Sequence, residues 1–289
     1  MTAEYRDPEQ LTEVLDILRE FGDDAKLIAG GQSLMVMRRQ GLISPSVWLD
    51  LNRVAGLAGI TAMDGGVRLG AMTTIRTIER DQTIRAMCPA LAQAAAAVGP
   101  LQVRNMGTIG GSVAHNAPGA DCPPALLALD ASAMVVGAAG ARSFALADLF
   151  TGYFETALRP DEVLTEFMLP ALSAGARAGY LKFATRTVDM ALVGIAVVLE
   201  QEGDAIRNVR IAIGGAAPVP FRARDAEAHL LGAKWTEAAL REAGRLAACA
   251  ASPVSDVHAS ADYRRWLVRT LVPRALASVS TGTPAGRES

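Results

Sequence analysis

Two sharp corners limit what this chain can fold into. At Leu27-Ile28-Ala29-Gly30-Gly31-Gln32-Ser33-Leu34 an apolar run turns through two glycines and enters a helix-like segment, 34–40. The stretch Thr108-Ile109-Gly110-Gly111-Ser112 repeats that grammar. A strand that meets a helix N-terminus through residues lacking side chains aims backbone N–H groups outward, and such a corner suits a phosphate. An ordinary turn accounts equally well for either corner taken alone. Their number carries no weight: with 27 glycines in 289 residues, about 2–3 adjacent pairs arise by chance, against the four present. Context is what separates them. The pair at 65–66 sits in a hairpin turn, whereas those at 30–31 and 110–111 adjoin apolar strands and lead into a serine. Neither corner is the G-x-G-x-x-G fingerprint, and no G-K-[ST] follows as in a P-loop.

The surrounding pattern predicts an α+β chain. Asp7-Pro8 reads as a helix start, with Leu11, Val14, Leu15 and Leu18 at helical spacing and Gly22 as the stop. With the first corner and the buried strand 47–51, residues 1–53 form a small βα subdomain with a parallel sheet. Residues 54–172 read as a larger mixed subdomain. It has a hairpin turning at Asp64-Gly65-Gly66, an Ala-rich helix opened by Pro89, a helix capped by Asp121, a second hairpin (133–137 with 142–145) and the strand 163–169. The small, aperiodic stretch 172–179 marks a boundary. Beyond it, 178–280 reads as a C-terminal domain of three antiparallel strands (180–185, 191–201, 206–214) followed by three helices (224–231, 236–250, 262–278). The polar tail 281–289 is predicted to be disordered.

A chain 51% hydrophobic and 20% charged folds into a substantial core, and a net charge of −2 without a basic run argues against nucleic acid. No signal-like N-terminus and no span-length apolar run are present, which predicts a cytoplasmic protein with no membrane span. Cys88, Cys122 and Cys249 lie far apart without C-x-x-C spacing, so they make neither a zinc nor an iron–sulfur site by themselves. His115, Asp121 and Cys122 are too close in sequence for a hydrolase dyad, and His229 and His258 have no ligand-spaced partners and read as surface residues.

The corners, together with Trp48-Leu49-Asp50-Leu51, Gln102 to Ser112, Asn116-Ala117-Pro118-Gly119-Ala120-Asp121-Cys122, Asp161 to Leu164 and Tyr180 to Arg186 with Asp189, resemble the FAD-binding medium subunit of the molybdenum hydroxylases. This is the family of carbon monoxide dehydrogenase and of the flavin domain of xanthine dehydrogenase. The resemblance runs in order along nearly the whole chain. It implies a two-part FAD domain (1–172) and a C-terminal flavoprotein domain, holding noncovalent FAD. Ala29, Gly30, Gly31, Gln32, Ser33 and Leu34 would wrap the pyrophosphate and adjoining hydroxyls together with Thr108, Ile109, Gly110, Gly111 and Ser112. Asp121 would accept hydrogen bonds from the cofactor, Leu164 would contact it, Tyr180 would cover a ring face and Lys182 would stand near the flavin ring. The bland alternatives are a helix cap for Asp121, a core position for Leu164 and a solvated edge position for Lys182. The loop from Arg186 to Asp189 would lie beside the flavin, with fewer charges than in the NAD-using relatives.

The family's architecture also implies partners. A large subunit would carry molybdopterin and a small one two [2Fe–2S] clusters, in a heterotrimer or its dimer, with this FAD relaying electrons to an external acceptor. A stand-alone FAD-dependent reductase is the first alternative, but no substrate acid or base is evident. A non-redox binding module that has kept the fold is the second, and the intact glycine corners weigh against it.

Overall fold

A computed structural model describes residues 3–280; the predicted tail 281–289 lies outside the described residues. The chain opens with β1 (Glu4–Arg6), α1 (Leu11–Phe21), β2 (Ala25–Ile28), α2 (Leu34–Arg39) and β3 (Val47–Asp50). The strands form a parallel sheet in the order β1-β3-β2, as the βα reading requires. Val14 and Leu18 of α1 bury against Ala25, Val47 and Leu49. The helix starts at Leu11 rather than at Asp7-Pro8. Asp7 is turned away to accept from Arg53 at 3.1 Å, and the Glu13 carboxylate takes the amides of Glu9 and Gln10 instead. Gly22, at φ +52°, ends the helix where predicted.

The second part is an antiparallel sheet wrapped by short helices. It comprises β4 (Ile60–Met63), β5 (Gly66–Gly70), α3 (Ile75–Arg80), α4 (Gln82–Met87), α5 (Pro89–Ala97), α6 (Leu101–Met106), α7 (Ile109–His115), α8 (Cys122–Ala128), β6 (Ser132–Gly137), β7 (Gly140–Ala145), α9 (Leu146–Leu149), β8 (Phe150–Gly152), β9 (Glu155–Thr156) and β10 (Val163–Pro170). The main sheet runs β4-β5-β10-β6-β7, and β8 pairs with β9 in a separate small hairpin. Alanines 90, 94 and 95 of α5 are fully buried, which lets this helix approach its neighbours closely.

The C-terminal domain contains β11 (Arg177–Phe183), β12 (Val193–Glu202), β13 (Ala205–Gly214), β14 (Phe221–Arg222), α10 (Arg224–Leu230), α11 (Glu237–Ala250) and α12 (Ala261–Ser280). Its antiparallel sheet has four strands, β11-β12-β13-β14, where three were expected. The extra strand is two residues long and pairs only through Phe221 and Arg222, too short to leave a periodic signal. Both faces of β12 are buried: Val193, Ile195, Val197 and Leu199 face the C-terminal helices, while Ala196 and Val198 join the core of the preceding domain. That is why residues 191–199 read as an unbroken apolar run.

Beyond this shared core, charged bridges tie the two domains. Asp130, just after α8, accepts from Arg222 at 2.6 Å and also from Arg210. The Arg222 side chain is only 7% exposed and pairs again with buried Glu227, which in turn accepts the Ile211 amide at 2.8 Å. The missed strand thus carries the arginine that joins Asp130 to Glu227. Arg222→Ala leaves Glu227 with the Ile211 amide but without its main cation, and is expected to lower stability by about 2 kcal/mol in urea unfolding. Asp130→Ala, at a half-exposed carboxylate, is expected to cost less than about 1 kcal/mol.

Candidate functional site

The two glycine corners come together. A Cβ built on Gly111 would stand 3.7 Å from the Ala29 side chain, and one on Gly30 would stand 2.7 Å from the Gly107 Cα, immediately before the second corner. Gly30 therefore packs backbone to backbone on the Met106–Gly107 peptide, a distance only glycine allows. Gly31 follows at φ +66°, the left-handed turn that releases the chain into α2. Asn52 braces this corner from behind, donating to the Ala29 carbonyl at 3.3 Å and to Asp50 at 2.7 Å, and the Gln32 amide donates to the Gly30 carbonyl. Sequence reasoning passed over Asn52; its signal was an Asp-x-Asn pair closing the buried strand β3.

The corners differ in what they offer a ligand. Among the described residues, the backbone N–H groups of Gly30, Gly31, Gln32, Ser33 and Leu34 have no acceptor. Five consecutive free amides at a helix entrance form an anion-binding nest. At the second corner every amide from Ile109 to Ser112 is already committed: Ile109 donates to Thr73, Gly110 to Ala71, Gly111 to the Thr108 hydroxyl and Ser112 to the Thr108 carbonyl. The expectation that both corners present amides is thereby corrected. The cause is the antiparallel bridge between Thr74 and Thr108, which docks α7 against residues 71–74. What the second corner can offer is the Ser112 hydroxyl and a close wall opposite the nest.

Beside the corners lies a buried charged group. Asp121 accepts from the Tyr180 hydroxyl at 2.7 Å and from the Lys182 ammonium at 3.0 Å, and Lys182 also donates to the Ala97 carbonyl at 2.9 Å. The expected helix cap is absent: Asp121 is itself in helical conformation and its side chain makes no cap bond, because β11 claims both oxygens. Nor is Lys182 a solvated edge residue; its side chain is 10% exposed and ion-paired. Burial pushes the Asp121 carboxyl up to about 6, against the opposing pull of Lys182 and Tyr180. The phenol of Tyr180 crosses Gly194 on the neighbouring strand, where no Cβ could fit, and braces Asp121. The Tyr180 amide is held by the Gln93 side chain at 2.8 Å, a second brace that sequence reasoning missed. Leu164 sits in the main core opposite Val135, next to Thr165, whose carbonyl holds Ala71 beneath Gly110.

The remaining polar candidates do not assemble into a nucleophilic site. His115 packs on Phe154 in a tilted arrangement, with ring centroids 5.1 Å apart, and burial lowers its pKa. Burial and the Asp121 charge push the buried Cys122 thiol far upward. His229 and His258 are exposed.

Comparison with known proteins agrees with this geometry. Residues 1–172 match the model of the FAD binding domain in molybdopterin dehydrogenase, and 178–279 that of the CO dehydrogenase flavoprotein C-terminal domain. The chain is 35% identical to the carbon monoxide dehydrogenase medium chain of Hydrogenophaga pseudoflava, covering 94% of this chain and 95% of that one. It is 36% identical to the nicotine 6-hydroxylase medium subunit of Paenarthrobacter nicotinovorans, over 96% and 98%. Among solved structures, the carbon monoxide dehydrogenase of Hydrogenophaga pseudoflava superposes with a TM-score of 0.95 at 36% identity, covering 97% of this chain and 98% of that one. Quinoline 2-oxidoreductase from Pseudomonas putida 86 gives 0.93 at 33% identity, covering 98% of each chain. Both domain models match in order along the chain, and the fold superposes on that of a solved relative: this chain belongs to the FAD-binding medium subunits of the molybdenum hydroxylases, the flavoprotein components of these oxidoreductases.

Proposed function

We propose that this chain is the electron relay of a cytoplasmic molybdenum hydroxylase. It would take electrons from [2Fe–2S] clusters in a small partner subunit, fed by a molybdopterin subunit, and pass them to an external acceptor. The observation that carries the reading is the run of free amides from Gly30 to Leu34, closed on its far side by Gly111 and Ser112. The nest would hold the pyrophosphate of FAD, with the Ser33 and Ser112 hydroxyls beside it. Bound FAD supplies the ability to accept and return electrons singly or in pairs. Next to it, Lys182 would lend positive potential to a flavin that gains negative charge on reduction, and Asp121 fixes where that ammonium points. Tyr180 and Gln93 keep β11 in register with α5, so that the pair does not drift. The medium chains and subunits among the relatives belong to multi-subunit enzymes, which supports a heterotrimer or its dimer here.

An absorbance spectrum of the purified chain tests the reading. Flavin bands near equimolar FAD are expected, and no organic substrate is expected to bleach them until the partner subunits are added. A flavin-free chain, or bleaching by a substrate without partners, would overturn the relay.

A further inference from the structure

A planar trans peptide carries its N–H and C=O on opposite edges, so a donor that holds the carbonyl also fixes where the amide points. No peptide among the described residues is cis. Across the nest, four carbonyls are held while the amide of the same peptide stays free. The Gly31 carbonyl accepts from the Met35 amide at 3.1 Å and the Ser33 carbonyl from the Met37 amide at 3.0 Å. Those two are the ordinary bonds of a starting helix. The two carbonyls before them are held by side chains instead. Asn52 donates its side-chain amide to Ala29 at 3.3 Å, and Gln32 donates its own to Gly30 at 2.9 Å.

These are the peptides most in need of holding. Neither Gly30 nor Gly31 has a Cβ, so the peptide between them can rotate as a unit at little steric cost. Such a rotation would exchange the Gly31 N–H for the Gly30 carbonyl, a dipole of the wrong sign for an anion. Glycine is nonetheless required at position 30, where a Cβ would stand 2.6 Å from the Met106 carbonyl carbon. The close approach of the corners thus creates a freedom that the two side chains remove. Gln32 lies along the second corner, its Cγ 3.7 Å from where a Gly107 Cβ would be. Asn52 is fixed at its far side. One oxygen of Asp50 accepts its backbone amide at 2.9 Å and its side-chain amide at 2.7 Å, and the Tyr5 hydroxyl donates to the other oxygen. The two hydrogens of the Asn52 amide group therefore serve Asp50 and Ala29, one each.

We propose that Asn52 and Gln32 are positioning residues of the cofactor site. Neither needs to touch the anion; each latches a carbonyl so that the Gly30 and Gly31 amides stay available to it. Asp50 and Tyr5 act at one remove, by holding Asn52. The inference deepens the pyrophosphate reading of the nest and rests on it.

Two variants of the FAD-loaded full chain remove the donors: Asn52→Ala, and Gln32→Met, which nearly keeps the length of the side chain. Each is expected to release FAD about three- to tenfold faster on dilution, read by the recovery of flavin fluorescence. Both side chains are exposed, so after release the melting temperature is expected to stay within about 2 °C of the wild type's. Asp50 supplies a rescue arm. Asp50→Asn keeps an oxygen that accepts from Asn52 and is expected to release FAD within about twofold of the wild-type rate, whereas Asp50→Ala is expected to match Asn52→Ala. The amide spectrum of the released chain reads the peptide itself: in Gln32→Met the Gly31 resonance is expected to shift and broaden as the peptide exchanges. Release unaltered in both variants overturns the inference, and so does an unchanged Gly31 resonance in Gln32→Met. Faster release with a matching fall in melting temperature, undiminished in Asp50→Asn, would make the role merely structural and overturns it as well. A wild-type chain that holds no FAD counts against the nest as a pyrophosphate site instead, and the Gly31 resonance in that sample still reads the latch.

Discussion

Gly30→Val is expected to yield a chain that purifies without flavin and melts about 5–10 °C lower than the wild type. A side chain at this position meets backbone: its Cβ would lie 2.6 Å from the Met106 carbonyl carbon and 2.7 Å from the Gly107 Cα. Backbone cannot swing aside as a side-chain tip can, so the two corners must part. Overpacking of this kind costs about 3 kcal/mol or more when nothing soft can give way. Loss of FAD then follows from the opened clamp. Gly111→Ala separates these effects. Its Cβ would press the Thr108 hydroxyl at 3.0 Å, a side chain that can shift, and would stay 3.7 Å from Ala29. A small change in melting temperature is expected there. Differential scanning calorimetry with flavin absorbance on the same samples reads both quantities; Gly30→Val with full flavin content would refute the packing argument.

The second large effect is at the buried ion pair. Lys182→Met leaves the Asp121 carboxylate buried with only the Tyr180 hydroxyl for support, and is expected to cost about 3–5 kcal/mol at neutral pH. Adding Asp121→Asn is expected to recover most of that loss, because the double variant holds no unpaired charge. The pH dependence has a definite sign. The folded pKa of Asp121 is raised from 3.8 to about 6, so the folded state binds this proton more tightly than the unfolded one. The stability it contributes is fully present below about pH 4 and is lost as pH rises through about 6. In Lys182→Met, with the cation gone, the carboxyl should titrate higher still. The deficit of that variant against wild type is therefore expected to shrink on acidification from pH 7 to 4.5. Urea unfolding at several pH values measures it, and a deficit that grows on acidification would contradict the assignment.

Both predictions depend on partners that the sequence does not place side by side. The corners themselves were legible, since an apolar run, two glycines and a serine leave a local imprint. The C-terminal helices were legible for the same reason: 224–231, 236–250 and 262–278 differ from the observed helices by at most two residues at either end. What escaped was decided at long range. Asp121 has the sequence of a helix cap and would be one in isolation, but two side chains from β11, about sixty positions later, take its oxygens. Asp7 was lost as a cap in the same way, to Arg53. The short helices α3, α4 and α6, six residues each, are too brief to establish a period. The amides of the second corner look like those of the first in sequence, yet those of Ile109 and Gly110 are consumed by Thr73 and Ala71, some forty positions upstream, and those of Gly111 and Ser112 by Thr108.

The reach of β11 into the preceding domain also has a bearing on the order of events during synthesis. The residues of the nest and its opposing wall have all left the ribosome by residue 112, but Ala71 beneath Gly110 is held only once Thr165 has followed, and Asp121 gains its cation only after residue 182. A nascent chain halted between residues 165 and 182 carries the held corners beside an unanswered acid. Stable flavin capture should accordingly belong to the released chain, with cofactor loading a late step of maturation that reports on whether the C-terminal domain has docked.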